Sequence, residues 1–282
     1  MDSDKRMSLE QALALVPDEG AVLALGGTTL YRRPMAFSLA LRRRFLRSGR
    51  PARLTLLCFT AGVESDVLVG AGMVERVRTC YFGLEIFGFA PSFTAAVHAG
   101  RLEVVEESEA SLAMGIRARL ARVGFMPSTA WIGTDMFVLR PDVQTVVDPY
   151  SGETLTAFPA IGCDVAVLHA LEADPEGNAA LGRHWGVDRE LSLIASTVII
   201  TAERIVPRLE QADVIAPSVR AVVEAPGGAW PTSCHPLYPP DGMALLRYTD
   251  VAETPDQATL LAEWGAAGQP APPSESLTPS LR

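Results

Sequence analysis

Residues 21–37 read AVLALGGTTLYRRPMAF: an apolar run, two glycines, two arginines and a proline, then a segment of helical pattern. Gly26 and Gly27 permit a sharp turn and leave no side chain between main chain and ligand. Arg32 and Arg33 are permanent cations whose planar forks suit phosphate or carboxylate. Pro34 fits the first turn of a helix, where its missing N–H costs nothing. Met35, Phe37, Leu39, Ala40, Leu41 and Phe45 supply an apolar face for that helix. The stretch reads as strand, glycine loop and helix, with two cations placed for an anionic ligand.

The same rhythm continues along the chain. Strand-like runs occur at 21–25, 54–59, 78–82, 102–106, 165–168, 198–201 and 221–223. Helical patterns lie between them, including 8–16, 35–45, 111–123 and 191–196. Short continuous apolar runs alternating with helices predict an α/β fold with a mainly parallel sheet, open and helix-covered on both faces. In such sheets ligands bind beyond the carboxyl ends of the strands, where the Gly26–Gly27 loop falls. Residues 124–164 break the rhythm and predict an excursion with short strands. No linker divides the body, so residues 1–250 are expected to form one domain. Residues 251–282 are expected to form a C-terminal tail with one short helical piece, disordered from about Ala266 onward.

Composition narrows the function. The chain has 282 residues, 48% hydrophobic, which suffices for a large core. A net charge of −9 and a pI near 5.0 argue against general nucleic-acid affinity. No apolar run is long enough for a membrane span, and the N-terminus has no leader-like apolar stretch, so a cytoplasmic location is expected. Cys58, Cys80, Cys163 and Cys234 are far apart and are expected to be buried free thiols. They and the four histidines lack metal-ligand spacing, and no metal is expected. Lys5 is the sole lysine, so the Arg42–Arg53 cluster reads as a solvated helix face rather than a ligand site.

Neither GxGxxG, GxxxxGK[ST] nor GxSxG is present, which argues against a dinucleotide site, a P-loop and a serine-nucleophile elbow. Carboxylates offer more. LEVVEESEASLAMG places Glu103, Glu106, Glu107 and Glu109 at a strand end and helix start, open to capping or to a nucleophile or base role. VVEAPGGAWPTSCHPLYPPDG, residues 222–242, runs from a strand into a Pro-rich aromatic loop that could be a lid, a subunit contact or a stiff connection.

In their order, GGTTLYRRPMAF, EVVEESEAS, GFMPS, GTD, ADPEGNAAL, TAERIVP and VVEAPGGAWPTSCHPLYPPD resemble the α-type subunit of family I coenzyme A transferases. The likeness is to the glutaconate CoA-transferase branch of α-type chains, which also holds two-subunit steroid ring-opening hydrolases. It covers roughly residues 8–248. The resemblance implies a seven-stranded, largely parallel sheet and a β-type partner, as a heterodimer or α2β2. It implies coenzyme A as the acyl carrier, with no bound cofactor, and Gly26, Gly27, Arg32, Arg33 and Asp135 beside the acyl-CoA cleft. The transferase nucleophile is then a glutamate of the partner, in a Glu-Asn-Gly-like motif absent here. In the hydrolase-like branch the counterpart in this chain is Glu109, with Glu106 second; a third reading is a non-catalytic binding or regulatory subunit that keeps the fold and the interface only. Here Glu-Ala-Ser stands where relatives often have Glu-Gly.

Overall fold

The computed structural model describes residues 4–266. Seven parallel strands form the main sheet: β1 (Val22–Leu25), β2 (Leu54–Cys58), β3 (Val74–Thr79), β4 (Glu103–Glu106), β8 (Cys163–Ala173), β10 (Ala195–Ile205) and β11 (Val219–Glu224). Their spatial order is β11-β10-β8-β1-β2-β3-β4, and β9 (Ala179–Ala180) adds antiparallel to β8. The excursion is a separate antiparallel sheet of β5 (Phe125–Ser128), β6 (Gln144–Val147) and β7 (Thr154–Pro159), in the order β5-β7-β6.

Side-chain alternation explains the layering. Leu23 and Leu25 of β1 point to one face with Leu54 and Leu56, where they meet α1 (Leu9–Leu13), α2 (Met35–Ser48) and α3 (Val63–Gly70). Ala24, Ala166, Leu168 and Ile200 point to the other, where Leu112 and Ile116 of α5 (Glu109–Leu120) and Leu191 of α7 (Asp188–Ile194) cover them. Central strands buried on both faces read as continuous apolar runs, which is why their positions are legible in sequence.

The edge differs from expectation. The third strand is Val74–Thr79 rather than 78–82, and its sequence VERVRT buries Val74 and Val77 while exposing Glu75 and Arg76. It lies between β2 and the edge strand β4, and its exposed charged side chains defeat an apolar-run criterion. The helices α3 and α4 (Pro91–His98) are also additions to the sequence reading. In α3 even Glu64, Ser65 and Asp66 are buried, so no amphipathic stripe marks it.

The C-terminal helical piece is α9 (Pro255–Ala266), which follows α8 (Gly242–Asp250). Leu260, Leu261 and Trp264 join the main core, with the Trp264 ring tilted 31° to that of Tyr248 at 5.7 Å and edge-on to Trp230 at 5.3 Å. The body therefore extends past residue 250, the expected boundary, because this helix supplies core side chains. The segment expected to be disordered lies, from residue 267 on, outside the described residues. Among the described residues no helix is long and apolar enough to cross a membrane. Trp264→Ala should lower the unfolding free energy by about 3–5 kcal/mol in a denaturant titration. An unchanged midpoint would show that α9 is not part of the folding unit.

Candidate functional site

The carboxyl ends of β1 to β4 form one stitched row. Cys80 donates its thiol proton to Phe59 O at 2.8 Å, Ala61 N–H donates to Tyr81 O, and Glu107 N–H donates to Thr79 O. At its start stands the glycine turn. A Cβ on Gly27, where φ is +85°, would lie 2.5 Å from Tyr31 O, and one on Gly26 would lie 2.5 Å from Leu168. The glycines thus let the chain fold back upon itself. Thr29, β-branched and exposed, has φ of +46°, a conformation sustained only by its surroundings.

Arg32 and Arg33 provide those surroundings. Both are wholly buried. Arg32 pairs with Asp188 at 3.0 Å and donates to the carbonyls of His169 and His184, each at 2.7 Å. Asp188 also accepts the Gly27 N–H at 2.9 Å. Arg33 donates to Thr29 O at 2.8 Å and Thr60 O at 2.6 Å, with Glu64 3.5 Å away. A buried guanidinium needs a charge partner and filled donors; Arg33 finds both inside the protein, and Arg32 finds its carboxylate and two carbonyls there, with Nε left without a hydrogen-bond partner among the described residues. They hold the β1 turn to its neighbours.

At the other end of the row, the acidic turn separates its carboxylates. Glu107 is buried between Arg78 and Arg140, each at 2.6 Å. The sequence singles out its neighbours and hides it as the anchor, because its two cations come from distant elements. Glu106 is exposed on the edge strand. Glu109 is exposed in the first turn of α5, with no ion-pair partner among the described residues. It stands near Cys80, whose thiol is pushed up to about 11 by burial, then by the charge of Glu109. Asp135, also exposed, precedes the short α6 (Met136–Leu139). This segment is docked on the acidic turn at both ends: Trp131 Nε1 donates to Ser108 Oγ at 2.8 Å, and Arg140 donates to Glu106 O at 3.1 Å.

The Pro-rich segment is a strap pinned to the glycine turn. Arg32 N–H donates to Ser233 O at 2.7 Å, and Ser233 N–H returns a bond to Leu30 O at 2.8 Å. Beneath it, His169 contacts Thr201 at 2.9 Å through Nδ1 and Glu203 at 2.8 Å through Nε2. Glu203 accepts from Gly227 N–H at 2.6 Å and from the Tyr238 hydroxyl. Burial raises the Glu203 carboxyl, but the hydrogen bonds and charge of His169, with the Tyr238 and Gly227 donors, outweigh it and hold the group below its ordinary range. Cys234 completes a buried cluster with His169 and Glu203, its thiol pushed far up by burial, then by the Glu203 charge. Both ring nitrogens of His169 and both oxygens of Glu203 are already engaged, so the cluster functions as a hydrogen-bonded anchor. Cys58, Cys163 and Cys234 are buried free thiols, as expected, while Cys80 is only partly buried.

Residues 6–224 match the coenzyme A transferase family. The chain is 30% identical to a subunit of 3-oxoadipate CoA-transferase of Pseudomonas knackmussii, over 91% of this chain and 90% of that one. It is 32% identical to the cholesterol ring-cleaving hydrolase IpdA subunit of Mycobacterium tuberculosis, over 89% of each. It spans only 58% of the length of an Archaeoglobus fulgidus relative to which it is 33% identical. Among solved structures, a variant of the decarboxylase AibA/AibB superposes with a TM-score of 0.86, at 32% identity, covering 94% of this chain and 99% of that one. Glutaconate CoA-transferase of Acidaminococcus fermentans gives 0.82 at 26% identity, covering 98% and 97%.

Two outcomes follow from the buried charges. Arg33→Met leaves Glu64 buried and unpaired, and should cost about 3–5 kcal/mol of stability; a raised KM with unchanged stability would return Arg33 to ligand binding. For Glu203 the folded pKa lies below the unfolded one, so its contribution is complete above pH 4.5 and is lost as pH falls through the folded value. Glu203→Gln should therefore lower Tm at pH 7 and flatten the further fall of Tm below about pH 4.5. A parallel downward shift at all pH values would contradict this.

Proposed function

The chain belongs to the coenzyme A transferase family, and on that premise we propose that it is the α subunit of an acyl-CoA:carboxylate CoA-transferase. The observation that carries this reading is a strand-end surface that is furnished but uncovered. Glu109 stands free at one end of it. Ile86 (92% exposed) and Phe89 (84%) project from the connection after β3, and Ile132 and Val138 from the segment docked on the acidic turn. Clustered exposed apolar side chains beside polar groups mark a surface meant for a partner. Relatives named as single subunits of CoA-transferases support a partner of β type.

In this reading a glutamate of the partner attacks the thioester carbonyl, forming an acyl-glutamyl anhydride and releasing CoA thiolate. The thiolate attacks the glutamyl carbonyl, giving glutamyl-CoA and the free carboxylate of the first acyl group. An acceptor carboxylate then attacks glutamyl-CoA, and the same steps in reverse yield the new acyl-CoA. The anhydride is hydrolysed wherever water reaches it, so closure by the second chain matters for transfer. This chain contributes the strand-end floor and its rigid turns.

A second reading is a two-subunit CoA-thioester hydrolase, favoured by the free Glu109 carboxylate and by the hydrolase relative. There Glu109 acts in this chain, as a base for water or as the nucleophile. Glu109→Gln separates the two in the assembled complex. Hydrolysis should fall by about 100-fold or more, whereas transfer should retain most of its rate. Full activity in both assays would leave Glu109 with capping alone. The chain purified by itself should exchange CoA between carboxylates at no measurable rate, and should gain that activity when co-expressed with a β-type chain. Robust transfer by the single chain would overturn the proposal.

A further inference from the structure

Among the described residues, the arginines near the strand-end surface are nearly all neutralised. Arg32 is held by Asp188, Arg33 by Glu64, Arg78 and Arg140 by Glu107, and Arg189 by Asp213. Arg183 is different. It is exposed and has no ion-pair or hydrogen-bond partner among the described residues. It also sits on a loop fixed against the glycine turn. Its neighbour His184 gives its carbonyl to Arg32 at 2.7 Å and lies edge-on to the Tyr31 ring at 5.9 Å. A Cβ on the preceding Gly182 would lie 3.1 Å from the Tyr31 hydroxyl. One on Gly186 would meet Thr28 at 3.5 Å. Trp185 donates to Gly182 O and carries the Arg189 guanidinium 3.3 Å above its ring. The loop ends at Asp188, which holds Gly27 N–H.

We propose that Arg183 is a substrate-binding residue that holds an oxyanion of the acyl-CoA. This inference rests on the reading of the chain as a CoA-transferase subunit, and it moves the anion-binding role from the buried Arg32 and Arg33 to the next loop. The physical reason is complementary burial. The two buried guanidiniums are spent on carbonyls and carboxylates, and through Asp188 and His184 they fix the 182–188 loop. A free guanidinium on a loop held this way starts with little backbone freedom to lose on binding. It offers a planar fork to a carboxylate or phosphate. Two sources share that chemistry: a carboxylate at the far end of a dicarboxylic acyl group, and a phosphate of CoA.

The test uses the assembled complex and measures Kd for glutaryl-CoA, butyryl-CoA and the butyryl thioester of pantetheine. Arg183→Gln should weaken binding about 10- to 100-fold for ligands that carry the recognised anion, with unchanged thermal unfolding because the side chain is exposed. Arg183→Lys should recover part of the loss. Loss confined to glutaryl-CoA assigns the acyl carboxylate. Equal loss for both CoA thioesters, with the pantetheine thioester unaffected, assigns a CoA phosphate. Unchanged Kd for both CoA thioesters, or equal loss for all three ligands, overturns the proposal, as does failure of the wild-type complex to bind them. Turnover is read separately: tight, Arg183-dependent binding without CoA transfer would sink the transferase reading and leave this inference standing.

Discussion

Burying two guanidiniums at the carboxyl end of a parallel sheet is the constraint around which the rest of the candidate site is arranged. Each needs a carboxylate and several carbonyls to offset its desolvation. Those acceptors come from different loops, so satisfying the charge fixes the loops. Arg33 joins the turn after β1 to the one after β2, while Arg32 and Asp188 join it to the 182–188 loop and to the backbone of β8. Glu107 repeats the device with inverted sign, tying β4, β3 and the excursion through Arg78 and Arg140. The row of strand ends is therefore held by internal charge pairs, which leaves Glu109 and Arg183 exposed on its surface without ion-pair partners among the described residues.

Such an arrangement separates rigidity from reactivity. The third anchor, Glu203 with His169 and Tyr238, lies under the Pro-rich strap and sets its path against the glycine turn. Strained backbone at Thr29 is tolerated because Arg33 and Thr60 hold its carbonyl and its N–H. Transferase, hydrolase and decarboxylase names all occur among the relatives. Function is carried by sites grafted on a fold, so one fold can serve several chemistries.

What is legible in the sequence is the part governed by local pattern. Continuous apolar runs mark the central strands, the Gly–Pro pair brackets the first turn, and the Ser108 cap falls where the acidic helix start places it. Strand β3, next to the edge strand β4, escapes the apolar-run criterion because its exposed charges hide a strand of normal length. Helix α3 escapes because it buries Glu64 and Asp66 along with its apolar residues. The partners of the arginines are hidden for a related reason. Nothing near Arg32 and Arg33 in the sequence announces Asp188 and Glu64 as partners, so paired charge looks like free charge. Glu109 is legible as a strand-end carboxylate, whereas Arg183 becomes distinguishable only once the other cations have been paired off.

The central claim is that this chain supplies half of a transfer site and that the covalent intermediate forms on the other half. Intact-mass analysis of the assembled complex during turnover, with borohydride trapping to mark the reactive chain, addresses it directly. A site divided in this way predicts a CoA thioester on a glutamate of the β-type partner and none on this chain. A CoA or acyl adduct at Glu109, or turnover without an adduct on either chain, would contradict it.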